Sequence, residues 1–171
     1  MNVSIYIATT ANGLINAGVP HDQWISDASW QSYLERLKTF DVAVIGSKTY
    51  AVMSDEEFLP NVTYIVLTHD TAKTYRSNVT PSAEQPRELI ARLKQAGHQQ
   101  VGILGGAEVI SSFLEAQAVD ELFLDLEGVL SGKGKNLLTA DSGVFDLTLL
   151  DMKQLDPRTI QLHYKVTFGQ E

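Results

Sequence analysis

The stretch Gln100-Val101-Gly102-Ile103-Leu104-Gly105-Gly106, followed directly by Ala107 to Glu115, is the most informative part of the sequence. A short apolar run typical of a buried strand ends at two glycines, and an amphipathic segment begins at once. Glycine lets backbone amides approach a bound anion closely, and a helix N-terminus favours negative charge. The stretch therefore predicts either a phosphate-binding corner or a plain tight turn between a strand and a helix.

Size and composition narrow the class of protein. The chain has 171 residues, a formal net charge of −8 and no cysteine. Its length fits one domain, residues 1–171, with a full hydrophobic core. The lack of cysteine excludes disulfides, thiolate metal sites and a cysteine nucleophile, and we predict no metal site. The negative charge argues against nucleic acid or anionic membrane as a partner, so we expect a small-molecule ligand.

Targeting signals are also missing from the sequence. No apolar run approaches the roughly 20 residues that cross a bilayer, and the N-terminus lacks the basic and apolar regions of a signal peptide. We therefore expect a cytoplasmic protein with no membrane contact.

Strand-like runs alternate with helical patterns along most of the chain. The predicted strands are residues 3–9, 42–46, 63–68, 100–104 and 121–126. One helix face is predicted from Trp30, Tyr33, Leu34 and Leu37, and another from Leu89, Ile90 and Leu93. The stretches 145–154 and 159–168 flank the turn residues Asp156-Pro157 and predict a hairpin. The pattern indicates an α/β fold in three layers (α/β/α), with a mostly parallel central sheet and a C-terminal antiparallel hairpin.

An ordinary dinucleotide-binding Rossmann domain is disfavoured. That fold requires G-x-G-x-x-G in the first turn between strand and helix. The first turn here reads Ala8-Thr9-Thr10-Ala11-Asn12-Gly13, and the glycine pair comes several strands later.

Four segments, in order, resemble the dihydrofolate reductase superfamily, and in particular its branch containing the reductase domain of bacterial riboflavin biosynthesis (the RibD C-terminal domain). The segments are residues 7–15, 44–50, 64–69 and 104–108, the last followed by 119–122 and 128–134. The resemblance covers essentially the whole chain. It implies a dihydrofolate reductase-like fold and an NADPH-dependent reductase that converts the ribosylamino group of a phosphorylated aminopyrimidine into ribitylamino. It also implies a homodimer.

The resemblance further implies which residues hold the cofactor. The small side chain of Ala8 would lie under the nicotinamide, and Thr68 and His69 would recognise the 2′-phosphate of NADPH. In the family a cis peptide joins the glycine pair. The residues expected at the remaining cofactor phosphates are Gly46, Ser47, Lys48, Thr49, Gly105, Gly106, Ala107 and Glu108. A helix cap with a solvated lysine is the alternative explanation for the first four.

Substrate contacts are expected from Asn12, Trp24, Tyr50 and Lys133, the last of which lies in a glycine-rich loop and could meet a sugar phosphate. Two positions depart from the family. Asn12 replaces a common aspartate and loses its charge, and Ser47 replaces a frequent arginine, which leaves Lys48 as the nearest cation.

Asp27 is the candidate general acid. Dihydrofolate reductases carry a carboxylate on the helix after the first loop, and Asp27 lies three residues before Trp30. A role as the N-cap of that helix explains Asp27 more simply. Two alternatives to the riboflavin-type reductase therefore stay open, namely a dihydrofolate reductase and a non-catalytic protein that only binds NADP.

Overall fold

The computed structural model describes residues 1–169, apart from the side chain of Asp22. The elements, in chain order, are β1 (Asn2–Thr10), β2 (Leu14–Asn16), α1 (Asp27–Leu37), β3 (Val42–Gly46), α2 (Ser47–Tyr50), β4 (Thr63–Leu67), β5 (Val79–Ser82), α3 (Pro86–Gln95), β6 (Gln100–Ile103), α4 (Ala107–Glu115), β7 (Glu121–Glu127), β8 (Lys135–Asn136), β9 (Asp146–Asp156) and β10 (Thr159–Thr167). Two short 3₁₀ turns cover His21–Gln23 and Asp55–Glu57.

Eight of the strands form one sheet in the order β5-β4-β3-β6-β1-β7-β10-β9. The six strands from β5 to β7 run parallel, and β10 is antiparallel to both β7 and β9. The predicted sheet, mostly parallel and closed by a C-terminal hairpin, is therefore confirmed. Its central strands read as continuous apolar runs because helices cover both faces, and Val42 to Ile45 are completely buried.

Two hydrophobic clusters lie on opposite faces of this sheet. On one face, Leu89 and Leu93 of α3 and Ile110 and Phe113 of α4 pack against Ile5 and its neighbours. On the other face, Leu37 at the end of α1 packs with Phe40, Tyr6, Ile45 and Tyr64. Because side chains alternate along a strand, Ile5 and Tyr6 serve different clusters. The three-layer prediction is confirmed.

Local details differ from the sequence prediction in three places. The N-cap of α1 is Ser26, whose Oγ accepts the Ser29 amide at 3.1 Å, so the prediction of Asp27 as the cap was wrong. The strand β5 was not predicted; it carries Pro81, which a sheet tolerates at an edge. The two-stranded sheet of β2 and β8 was also missed because its strands have only three and two residues. Within residues 1–169, none of the helices combines the length and apolar character needed to cross a membrane.

Candidate active site

The two glycine-bearing turns meet at one edge of the sheet. Because β3 and β6 are parallel neighbours, their carboxyl ends lie side by side. The Gly46 amide donates a hydrogen bond of 2.8 Å to the Gly105 carbonyl oxygen. A Cβ atom on Gly46 would lie only 3.2 Å from Cγ2 of Val109 in α4. The structure thus brings residues 46–49 together with residues 105–108, and the peptide bond between Gly105 and Gly106 is cis.

Backbone donors at this corner are available to an anion. The first amides of a helix have no acceptor within the helix, and no residue among 1–169 accepts from the amides of Gly106, Ala107 or Glu108. A Cβ atom on Gly106 would occupy the space between its backbone and Thr49 Oγ1, 3.6 Å away. Bare backbone at the start of a nine-residue helix fits a phosphate-bearing cofactor.

The charged side chains at the corner partly offset one another. Lys48 Nζ lies 3.7 Å from Glu108 Oε1, and the two side chains are 79% and 82% exposed. Ser47 is also exposed. The corner therefore offers one cation to a phosphate, with a carboxylate beside it that weakens this attraction.

Thr68 and His69 follow β4 at the same edge of the sheet. Leu67 pairs with Gly46 in the ladder between β4 and β3. Thr68 and His69 therefore lie one strand away from the two glycine-bearing turns, which together form the glycine corner. The Thr68 amide donates to the Ser82 carbonyl oxygen at 2.9 Å, and Thr68 Oγ1 accepts the Asp70 amide at 3.1 Å. His69 is exposed. These bonds hold the turn and leave the imidazole accessible to a ligand.

A cavity of about 160 Å³ adjoins the glycine corner. Leu104 precedes the glycine pair, and Thr49 follows Gly46; both residues line one end. Ala8 lies in the wall of this cavity. The complete lining is Tyr6, Ile7, Ala8, Ile25, Ser29, Trp30, Tyr33, Thr49, Glu57 and Leu104. The lining is chiefly apolar and aromatic, which suits a flat organic ring.

A buried carboxylate lies behind the cavity wall. Asp125, on β7 beside Ala8, is completely buried. Its Oδ2 accepts the hydroxyls of Tyr6 and Ser29, each at 2.6 Å, and its Oδ1 accepts Gln161 Nε2 at 2.8 Å. Burial raises the pKa of Asp125, while the three hydrogen bonds act in the opposite direction. Burial and the neighbouring Asp125 raise the pKa of Tyr6, so its phenol keeps its proton.

A second carboxylate, Glu57, reaches the cavity from the 3₁₀ turn. Its Oε1 accepts the Tyr33 hydroxyl at 2.9 Å, and its Oε2 accepts the Ser54 amide at 2.7 Å. The residue is only 8% exposed. Burial, followed by the negative charge of Glu57, raises the pKa of Tyr33. Tyr33 therefore stays protonated and donates to the carboxylate.

Three predicted residues lie outside the cavity lining. Asp27 is exposed at the first position of α1 and does not line the cavity. The carboxylates near the cavity are instead Asp125, which lies behind the wall, and Glu57, which lines the cavity. Trp24 is buried in the protein at 3% exposure, whereas Trp30 lines the cavity. The Tyr50 ring packs edge-on against Phe58 and Tyr75, with centroids 5.6 and 4.9 Å away.

The other two predicted substrate residues belong to a loop system around the small sheet. Asn12 Nδ2 donates to the Ser131 carbonyl oxygen at 2.8 Å, and Asn12 Oδ1 accepts the Thr10 hydroxyl at 2.9 Å. Lys133 is exposed. A Cβ atom placed on Gly18 would lie 3.2 Å from the Cβ atom of Lys133. The Asn12 amide thus holds the loop that carries Lys133.

Sequence reasoning missed Ser29, Tyr33, Glu57 and Asp125 as residues of the site or its support. Tyr33 was assigned only to a core-facing helix stripe. A signal for Asp125 exists, since a lone acid inside the apolar run Leu122 to Leu126 is expected to have buried partners. Glu57 carries no such signal because its neighbours are also acidic.

Comparisons with known proteins agree with this architecture. The family model of the RibD C-terminal domain matches residues 2–161. The Uncharacterized protein YwjB of Bacillus subtilis is 28% identical over 166 residues, covering 94% of this chain and 95% of that protein. A pyrimidine reductase-like protein from Corynebacterium diphtheriae superimposes with a TM-score of 0.75 at 16% identity, covering 98% of this chain and 92% of the other.

A longer protein also shares the fold. The diaminohydroxyphosphoribosylaminopyrimidine deaminase/5-amino-6-(5-phosphoribosylamino)uracil reductase of Thermotoga maritima superimposes with a TM-score of 0.75 at 17% identity. The match covers 96% of this chain but 56% of that protein. The present chain thus spans little more than half of the two-activity protein.

Proposed function

The chain belongs to the RibD C-terminal domain family, and from this we propose that it is an NADPH-dependent reductase of a pyrimidine–sugar or related small substrate. The activity would resemble that of 5-amino-6-(5-phosphoribosylamino)uracil reductase. One observation supports the proposal: the hydrogen bond from Gly46 to Gly105 joins the two glycine-bearing turns directly beside a cavity lined by aromatic side chains.

The residues fit a dinucleotide with its phosphates at the glycine corner. The free amides of Gly106 and Ala107, together with Lys48, would bind phosphate oxygens. Thr68 and His69, at the end of the next strand, would contact the 2′-phosphate. When bound, NADPH supplies the hydride that the protein itself cannot provide.

The remaining work of the protein is to position the substrate and exclude water. Ala8 leaves room in the wall for a ring, and the aromatic side chains of Trp30 and Tyr33 line the same cavity. Such enclosure fixes reacting groups in one orientation and removes competing solvent. We propose that Lys133, on the loop held by Asn12, meets a charged end of the substrate outside the cavity.

A direct assay tests the proposal. NADPH absorbance is followed with 5-amino-6-(5-phosphoribosylamino)uracil, with dihydrofolate and with no substrate, and NADPH affinity is measured by titration. Oxidation that depends on the pyrimidine supports the proposal. Absence of NADPH binding would refute the proposed function, and NADPH binding without oxidation in the presence of any substrate would favour the non-catalytic alternative.

The dihydrofolate alternative lacks the geometry that it required, because Asp27 lies outside the cavity. The assay with dihydrofolate is therefore expected to show no turnover. Activity that disappears in Asp27→Asn would overturn this expectation.

We also propose that the protein forms a homodimer through the hairpin edge of the sheet. The edge strand β9 exposes Leu147, Leu149, Leu150 and Met152, and Met152 is 62% exposed. A long apolar edge favours pairing with another chain. Light scattering should give the dimer mass, and Met152→Lys should shift it towards the monomer.

A further inference from the structure

The hydroxyl hydrogens of the deep cavity wall all point away from the cavity. A hydroxyl has one hydrogen to donate and two lone pairs that accept. Tyr6 and Ser29 both donate their hydrogen to Asp125 Oδ2 at 2.6 Å. The Tyr6 oxygen also accepts Gln161 Nε2 at 3.2 Å, so the two hydroxyls can offer a ligand only their remaining lone pairs.

Two further donors of the lining, on the same helix α1 as Ser29, are used in the same way. Tyr33 donates its hydroxyl hydrogen to Glu57 Oε1 at 2.9 Å, and the Trp30 indole nitrogen donates to Glu56 Oε1 at 3.1 Å. Glu57 itself lines the cavity as an acceptor. Four side-chain donors of the lining are thus used by carboxylates.

Among the described residues no acceptor takes the Thr49 hydroxyl hydrogen, and Thr49 lies near Gly106. The donor-free part of the cavity is therefore the part lined by Tyr6, Ser29, Tyr33 and Glu57. None of the lining residues is Lys, Arg or His. An anionic or acceptor-rich group would therefore find lone pairs facing its own lone pairs, which is costly in a site with little water.

We propose that the part of this cavity lined by Tyr6, Ser29, Tyr33 and Glu57 offers only acceptors and selects a flat, uncharged or cationic ring carrying at least two N–H donors. Asp125 and Glu57 set this selectivity by fixing the hydroxyls of Tyr6, Ser29 and Tyr33. The proposal deepens the reductase assignment on which it rests, because it identifies the ring edge that the enzyme recognises. Asp125 acts as a positioning residue, since it contacts the ligand only through Tyr6 and Ser29.

Gln161 determines what an Asp125→Asn variant would do. Its Nε2 donates to Asp125 Oδ1, to Ser32 Oγ at 2.9 Å and to the Tyr6 hydroxyl oxygen at 3.2 Å. An asparagine amide must keep its oxygen towards Gln161, because the reverse orientation would bring two N–H groups together. Its NH₂ group then faces Tyr6 and Ser29 and donates to them. Their hydrogens are released, and Ser29 becomes able to donate into the cavity.

The test uses two rings of the same shape. Calorimetric titration compares 2,4-diaminopyrimidine with 2,4-dimethylpyrimidine, at a pH where both rings are uncharged. The wild type should bind the diamino ring at least about tenfold more tightly, since lost hydrogen bonds leave buried acceptors unpaired. In Asp125→Asn this preference should fall by roughly tenfold.

Glu127→Gln is the matched control. Glu127 is also completely buried on β7, but its partners, Ser26 and Thr159, do not line the cavity. This variant should keep the wild-type preference. If Asp125→Asn does not fold, Ser29→Ala serves as the test instead, because it removes one acceptor from the cavity. Its affinity for the diamino ring should be about fivefold weaker than that of the wild type, and its affinity for the dimethyl ring nearly unchanged.

Several outcomes would overturn the proposal: equal affinity of the wild type for the two rings, an unchanged preference in Asp125→Asn, or, where Ser29→Ala decides, equal weakening of both rings. NADPH affinity is measured separately on each protein. Ring selectivity without NADPH binding would refute the reductase assignment alone, whereas NADPH binding without ring selectivity would refute this inference alone.

Discussion

The Gly46 amide donates a 2.8 Å hydrogen bond to the Gly105 carbonyl oxygen, and this bond links the ends of β3 and β6 at the candidate cofactor corner. Gly46 also lies close to α4, since a Cβ atom on it would meet Val109 at 3.2 Å. The two turns therefore form one surface, so that a change in either should alter the binding of the same ligand.

Gly106→Ala should weaken NADPH binding without unfolding the protein. Gly106 has an extended backbone, with φ −81° and ψ −160°, and a new methyl group would make an ordinary 3.6 Å contact with Thr49 Oγ1. The methyl would occupy space that a phosphate needs, so we expect roughly tenfold weaker binding, equivalent to about 1.4 kcal/mol. Titration and thermal melting check this. Gly132→Ala, in open space, is the control; equal affinity of the two variants would contradict the prediction.

Changes at Lys48 and Glu108 should have opposite effects on the cofactor. Lys48→Ala should weaken NADPH binding about threefold, and Glu108→Gln should strengthen it about twofold, because the pair is exposed and its attraction is screened. Repeating the titrations in high salt should reduce both effects. Changes of the same sign in the two variants would show that the phosphates bind elsewhere.

Gly102→Ala should destabilise the sheet. A Cβ atom at this position of β6 would overlap the Phe40 ring, which is buried at 4% exposure. Overpacking of this kind costs about 1–3 kcal/mol, measurable by urea unfolding. Adding Phe40→Leu should recover part of the loss, since the two changes share one space. A double variant no more stable than Gly102→Ala would argue against this packing explanation.

Asp41→Asn should lower stability at neutral pH but not in acid. Hydrogen bonds from the backbone amides of Gln100 and Gln99 hold the pKa of Asp41 below the ordinary value of an aspartate side chain. A carboxyl group whose pKa is lower in the folded than in the unfolded protein stabilises the fold at pH values above its unfolded-state pKa. This stabilisation is lost as the pH falls through the folded-state pKa.

At pH values well above the unfolded-state pKa, we expect the free energy of unfolding of Asp41→Asn to be about 1 kcal/mol lower than that of the wild type. This difference should shrink as the pH falls below that pKa. Urea unfolding across pH measures the effect. The control is Asp151→Asn, an exposed position where no hydrogen bond to the side chain occurs within residues 1–169. A deficit that stays constant down to low pH would refute the assignment to Asp41 ionisation.

Local sequence patterns were sufficient for the main elements of the fold. The apolar runs of β1, β3 and β6 and the cap residues of α3 lie in short windows, and their bounds agree with the structure within about two residues. The shorter β5, β2 and β8 were missed. A strand of two to four residues has too few positions to show a period, and it exists only because a neighbour supplies its hydrogen bonds.

The sequence by itself determined the main strands, the C-terminal hairpin and each of the two glycine-bearing turns, because each is specified by residues adjacent in the chain. The tertiary structure alone decided which carboxylates serve the cavity. Asp125, Tyr6, Ser29 and Gln161 come from four separate elements, and they meet because α1 packs over the sheet at the junction of β1, β7 and β10. Asp27 was chosen for its position in the chain. A carboxylate's environment is instead set by the side chains packed around it in space.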